Sequence, residues 1–332
     1  MIGLHYIYEI PVVVFVGYLL ELIIGYGFNW HPIMFIGNMI SFFEKKLRKA
    51  FPNTEKGERR AGFFLVIIIV FLSTVIPAAI LAVCFWIHRI LGMTVEILMC
   101  YSIFATHSLK KESMKVYKAL ENDGLEAGQK AVAMIVGRDT NVLDEKGVVK
   151  ATVETIAENS ADGIIAPLIY MVIGGPVLGF FYKAINTMDS MVAYKNDKYI
   201  NFGRTAAILD DIANFVPSRL AGIFMIISSS FAGFNMKNAA KIWRRDRFKH
   251  ASPNSAQTEA VMAGALEVQL AGDAQYFNKV YKKPFIGDPI RPIEVEDIVR
   301  ANKLLYFTCT FGTILLAGLR ALTEFLVMTF LI

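Results

Sequence analysis

A chain of 332 residues with 55% hydrophobic and 19% charged residues is more apolar than a soluble domain, where about 25% charged is usual. Its net charge of +5 is modest, and no basic stretch interleaved with aromatics marks a nucleic-acid surface. Cys84, Cys100 and Cys309 lie singly in apolar runs, without metal-ligand or disulfide spacing.

The apolar residues are gathered into long runs with the charges between them, as in membrane spans. The pattern predicts an all-α, multi-pass integral membrane protein of one domain. No Lys or Arg precedes Lys45, so the first run lacks the positive flank of a cleavable signal and reads as a retained span over 10–28. It carries Glu21, which must face other helices or water. The loop that follows holds seven Lys or Arg between Lys45 and Arg60 and is cytoplasmic by the positive-inside rule. The run 63–86 is uncharged and includes Pro77; 93–109 is a weaker span carrying Glu96. The short turn at His88, Arg89 and Gly92 makes these two a hairpin.

Residues 110–163 are polar and helical in pattern. The runs 164–182, interrupted by Gly174-Gly175-Pro176, and 220–234 are short for spans and read as re-entrant or buried helices. A basic run, Lys237 to Lys249, follows them. The last span, 304–326, contains Arg320 and Glu324, whose i,i+4 spacing allows them to pair on one face.

Three carboxylate clusters stand out in so apolar a chain. Glu154, Glu158 and Asp162 recur every four residues, one face of a helix. They read either as a solvated stripe or as oxygen ligands for Mg²⁺. Asn186 and Asp189 lie three apart, and Asp210-Asp211 precedes Asn214. Arg138, Lys183, Lys195, Arg204 and Arg219 lie near these acids in sequence; a guanidinium fork suits phosphate or carboxylate. His250-Ala251-Ser252-Pro253-Asn254-Ser255 is a turn before a helix whose first turn holds Glu259. No phosphate loop, G-x-G-x-x-G or H-E-x-x-H is present.

Taken in order, these motifs resemble the membrane-bound adenosylcobinamide-phosphate synthase family of cobalamin biosynthesis. The resemblance rests on His31-Pro32, on Ile135 to Thr140, and on Glu154 with Ala157-Glu158-Asn159 and Asp162-Gly163. It continues through Asn186-Thr187, Asp189-Ser190-Met191, Tyr194-Lys195, Leu209-Asp210-Asp211, Asn214, Pro217 and Arg219. It ends with His250, Ser252-Pro253-Asn254, Glu259-Ala260 and Met262 to Leu266. Ala193, Ser255-Ala256, Thr258 and Glu267 depart from the family pattern and bear on loop shape more than on chemistry.

The resemblance implies an ATP-dependent acid–amine ligase. Adenosylcobyric acid and aminopropanol phosphate would be joined as adenosylcobinamide phosphate, with ATP as co-substrate and Mg²⁺ as cofactor. Glu154, Glu158, Asp189 and Asp210 are then the catalytic candidates, with Glu158, Asp162, Asp210 and Asp211 as candidate metal ligands. Arg138, Asn186, Lys195, Arg219, His250 and Asn254 are candidates for substrate binding. The expected setting is the cell membrane with the motifs facing the cytoplasm; a homo-oligomer or contact with later enzymes of the pathway is left open. Two other classes compete. An intramembrane prenyltransferase would show an Asn-x-x-x-Asp signature, which the spacing of Asn186 and Asp189 does not match. A transporter would show paired broken spans from an internal repeat, and none is visible.

Overall fold

The computed structural model describes residues 10–25, 32–194, 196–276 and 279–331. Thirteen α-helices run through them: α1 (Ile10–Ile24), α2 (Pro32–Ala50), α3 (Glu55–Ile87), α4 (Arg89–Ile103), α5 (Thr106–Asp123), α6 (Leu125–Val132) and α7 (Glu145–Ser160), then α8 (Ala166–Val192), α9 (Arg204–Ala213), α10 (Phe215–Phe231), α11 (Met236–Asp246), α12 (Ala256–Leu266) and α13 (Asp297–Leu331). A π-helical turn, Ala161–Ile165, separates α7 from α8. Four short strands form two antiparallel pairs: β1 (Leu270–Ala271) with β4 (Phe285–Ile286), and β2 (Ala274–Tyr276) with β3 (Lys279–Tyr281).

The protein is a helical membrane protein. Four helical stretches are long and apolar enough to cross a bilayer: Glu55–Ile87, Arg89–Asp123, Glu145–Val192 and Asp297–Thr329. The bent pair α9 and α10 makes a fifth if it is counted as one span. The run 164–182 thus lies inside a much longer stretch of helix, and 220–234 falls within and just beyond the second arm of a pair bent by 47°.

The chain divides into two compact units. The first comprises Met1–Phe104, Ala166–Asn214 and Thr313–Ile332. Its longest helix, α3, begins where the Thr54 side chain accepts from Gly57 N–H at 3.1 Å, with Glu55 and Glu58 in the first turn; this is a standard cap reinforced by the helix dipole. It ends at His88, whose Nδ1 accepts from Ile90 N–H and so starts α4. A one-residue connection thereby yields the expected hairpin, with α3 packed on α4. The outer face of α3 leaves Phe63, Ile67, Phe71 and Trp86 exposed, as a lipid-facing surface requires.

Glu21 of α1 is fully buried, where α1 packs against α4 and α8. Arg320 and Glu324 pair at 2.7 Å. Arg48 at the end of α2 bonds Glu44 and Glu58 at 3.0 Å and the Lys198 carbonyl at 2.7 Å. It also lies 4.2 Å over the Phe202 ring, tying α2, α3 and the 196–203 loop together. In α8 the helical path breaks at Gly174 and Gly175; Gly175 has φ +64° and precedes Pro176. Glycine meets the first requirement and proline, lacking an N–H, adds the break.

The second unit comprises Ala105–Ile165 and Phe215–Gly312. Its centre is α12, AQTEAVMAGAL, in which every residue is buried. The small side chains allow α7, α10 and α11 to pack around it. A Cβ on Gly264 would lie 2.8 Å from both Ala239 Cα and the Asn238 carbonyl, so α11 and α12 meet backbone to backbone. Asp246, buried at the end of α11, binds Arg245, Lys249 and Gly287 N–H and anchors the segment after β4. Burial alone would raise its pKa, but those three partners hold it well below the usual carboxylate range.

Candidate active site

The second unit contains a polar cavity of about 160 Å³ lined by Arg138, Glu154, Thr155, Glu158, His250 and Glu259, with the backbone around Ala271–Ala274 and Lys283. Five segments converge there. The loop after α6 brings Arg138, α7 brings Glu154 and Glu158, the turn before α12 brings His250, and α12 brings Glu259. The strand segment 270–286 closes the ring with Lys283.

Each group is held by a partner that the local fold supplies. Arg138 pairs with one oxygen of Glu154, and the other oxygen accepts from Ala271 N–H at 2.7 Å. Ala271 takes φ +57°, a left-handed conformation unusual for alanine, and Gly272 follows at +91°. This turn aims the N–H at the carboxylate. The backbone bond from Asp139 N–H to the Gln275 carbonyl, 2.9 Å, ties the Arg138 loop to the same segment. Glu158 accepts from Ser255 Oγ at 2.8 Å, joining α7 to the start of α12.

Glu259 is 5% exposed; its N–H donates to the Ser255 carbonyl, and its carboxyl makes no hydrogen bond among the described residues. Burial, with Glu154 and Glu158 beside it, pushes its pKa well above the usual carboxyl range, which favours its neutral form. The His250 ring accepts from Ser252 N–H through Nδ1 at 3.1 Å, which leaves Nε2 as the protonated nitrogen of the neutral ring. Burial lowers its pKa against the opposing pull of Glu158. The cavity thus brings together three carboxyl groups, an imidazole, a guanidinium and a lysine side chain.

Of the residues singled out from sequence, Arg138, Glu154, Glu158 and His250 come together here. Arg219 and Asn254 pair at 2.9 Å in the same unit, Ser218 joins them, and the Arg219 guanidinium lies 3.7 Å over the Phe215 ring. Asp162 is not among the residues lining the cavity. It sits in the π turn that follows α7, where the i→i+5 spacing departs from the regular helical repeat that Glu154 and Glu158 share. The third carboxylate is Glu259 instead, from a different helix.

The remaining candidates lie in the first unit. Asp210 accepts from Asn214 at 3.0 Å, and Asn214 accepts from Tyr182 at 2.8 Å. Tyr170 stacks on Tyr182 and bonds the Ala213 carbonyl. Asn186 and Asp189 follow on α8, half-buried, beyond the buried Lys183, and Asp211 adjoins Asp210. Lys195 lies outside the described residues, as does His31. Among the described residues no three His, Cys, Asp or Glu are grouped so that they could hold a metal by themselves. Lys283 escaped sequence reading because its neighbours Tyr281-Lys282 and Pro284 carry no spacing signal; only the return of the strand segment brings it to the carboxylates. Glu259 was visible only as a first-turn acid.

The sequence model of the CobD/Cbib protein family matches residues 14–305. A cobalamin biosynthesis protein CobD from Clostridium perfringens is 43% identical over 315 residues, 95% of this chain and 99% of that protein. One of the same name from Citrobacter koseri is 38% identical, covering 92% of this chain and 96% of its own length. A cobalamin biosynthesis protein CbiB from Salmonella typhi is 37% identical with the same coverage. No solved structure matches. With nearly the whole chain matched, and Arg138, Glu154, Glu158, His250 and Glu259 of its motifs around one charged cavity, the chain belongs to the CobD/Cbib protein family.

Proposed function

We propose that the protein acts in cobalamin biosynthesis as an ATP-dependent amide-forming ligase of the cell membrane. In this reading it joins a propionate carboxylate of adenosylcobyric acid to the amine of aminopropanol phosphate. The observation that carries the proposal is the cavity of the second unit, where Glu154, Glu158 and Glu259 face Arg138, Lys283 and His250. The names of the similar proteins support the pathway.

The chemistry asks for what these residues offer. A carboxylate becomes an acyl donor when its oxygen takes the γ-phosphoryl group of ATP. The amine nitrogen then forms the new C–N bond, and the C–O bond to phosphate breaks. The amine arrives as an ammonium and must lose one proton before it attacks and a second as the amide forms; the carboxyl groups of the cavity are the acceptors at hand. Arg138 and Lys283 stabilise phosphate charge.

Mg²⁺ fits a donor set of this kind, because it is usually held by one or two carboxylates together with phosphate oxygens and water. Of the candidates from sequence, Glu158 lines the cavity, Asp162 does not, and Asp210 and Asp211 belong to the first unit, so the four are not proposed as one site. When bound, the ion supplies neutralisation of the charge on the transferring phosphoryl group.

The test is mass detection of the amide product from purified protein in liposomes with ATP, Mg²⁺, adenosylcobyric acid and aminopropanol phosphate, omitting each in turn. Product without ATP overturns the ligase chemistry. No corrinoid turnover under any condition overturns the assignment.

A further inference from the structure

We propose that the cavity of the second unit is the binding site of a small zwitterion, a phosphate monoester carrying an ammonium group a few carbons away. Lys283 and Arg138 hold the phosphate, and the carboxyl groups of Glu158 and Glu259 receive the ammonium. Resting on the ligase reading, this assigns the phosphorylated amine, rather than ATP or the corrinoid, to these residues.

Size gives the first argument. A cavity of about 160 Å³ is close to the ~150 Å³ that accommodates benzene in an engineered protein core. It is of the size for a compact small ligand, benzene having six heavy atoms. It cannot enclose a nucleotide or a corrin ring.

Charge gives the second. A ligand of one sign would satisfy only half of this lining: a plain phosphate would meet Glu154 and Glu158, and a plain amine would meet Arg138 and Lys283. A zwitterion satisfies both. Arg138 pairs with Glu154, and its planar fork of five N–H donors is of the kind that holds phosphate. Glu154 is fully engaged, by Arg138 and by Ala271 N–H, so it acts as the support that positions Arg138. Glu158 spends one oxygen on Ser255.

The third argument is Glu259. A carboxyl 95% buried, reckoned from its 5% exposure, with no hydrogen bond among the described residues, lacks a partner that the fold itself provides. It lines the cavity, so a bound ligand can supply that partner, and an ammonium donates up to three hydrogen bonds. The segment that carries Lys283 also carries the strained Ala271–Gly272 turn. A left-handed alanine persists only where its surroundings impose it. Here it keeps the backbone N–H on Glu154 and the strand segment over the cavity.

The experiment is calorimetric titration of the full-length protein in detergent with four probes: aminopropanol phosphate, propyl phosphate, 1-amino-2-propanol and ATP. Aminopropanol phosphate binds the wild type at least tenfold tighter than either fragment. Lys283→Gln weakens the two monophosphate probes tenfold or more and leaves the amino alcohol and ATP unchanged, while Lys283→Arg restores binding. Glu158→Gln weakens the two amines and spares propyl phosphate. Equal affinities of Lys283→Gln and wild type for aminopropanol phosphate overturn the proposal. So does a loss confined to ATP, which would make this a nucleotide site. Turnover separates the two readings. If wild type makes product and Lys283→Gln keeps the wild-type KM for the amine, the site assignment falls and the ligase function stands. If no corrinoid is turned over but the four-probe pattern holds, the ligase reading falls and the zwitterion site stands.

Discussion

At the scale of single residues, the carboxyls of the cavity differ in what they can lose. Glu158 is half-buried and bonded to Ser255, and the amide oxygen of a glutamine can still accept that bond. We expect Glu158→Gln to fold and insert normally and to lose at least 100-fold in product formation. Asp210→Asn should do the same, since Asn214 Nδ2 can still donate to an amide oxygen. Near-normal turnover in both, measured with size-exclusion profiles as the folding control, returns these acids to a structural role. Glu259 makes a different prediction. Its folded-state pKa is raised, so its stabilising share is complete below the unfolded value of about 4.3 and is lost as pH rises through the raised folded value. Glu259→Gln removes that dependence. The melting temperature of the variant relative to wild type should therefore climb as pH rises above about 4.3, by ~2 °C or more; a difference that stays flat with pH refutes a raised Glu259 pKa. His250 has the opposite sign, because its folded pKa is lowered. Its share is present above about pH 6.5 and is lost as pH falls.

At the scale of elements, helices in this chain pack through small residues where the backbone must come close, and through large apolar ones where lipid must be faced. Gly264 and Gly318 separate the two cases. A Cβ at Gly264 meets Ala239 Cα and the Asn238 carbonyl at 2.8 Å, whereas nothing lies within 4 Å of one at Gly318. Neither backbone neighbour of Gly264 can swing aside as a side-chain tip would. Gly264→Ala should cost about 1–3 kcal/mol by overpacking. Gly318→Ala should be neutral or gain up to ~1 kcal/mol from helix propensity. Thermal unfolding in detergent of the two variants checks this, and equal melting temperatures would contradict the packing of α11 on α12. The π turn Ala161–Ile165 is the other decisive element, because at Asp162 it departs from the regular helical repeat that Glu154 and Glu158 share.

At the scale of the whole molecule, the distribution of Lys and Arg sets the expected orientation. The basic loop around Lys56, the 110–163 segment and the basic helix α11 should lie on the cytoplasmic side, with the Arg89 turn opposite. Asn53, Asn141, Lys237 and Arg89 are all exposed, which suits them to single-cysteine labelling with an impermeant thiol reagent in intact cells. Only the cysteine at Arg89 should react; labelling at any of the other three refutes the arrangement.

By itself the sequence determined that this is a helical membrane protein, where its first hairpin turns, that Glu21 is buried and that Arg320 pairs with Glu324. Those features follow from local hydropathy and fixed helical spacing, which are properties of neighbouring residues. The acids and bases of the site were also legible as types, since charge is costly in so apolar a chain and has to be justified. Tertiary structure alone decided which of them meet. The face-to-face partnership of Glu154 and Glu158 with Glu259 spans a hundred residues of sequence, and Lys283 reaches them on a strand segment with no periodic signal. Asp162, in a turn of altered helical pitch, does not line the cavity. The division into two compact units was equally hidden, because each is assembled from separated stretches of chain, and burial between distant segments leaves no mark on the order of residues within them.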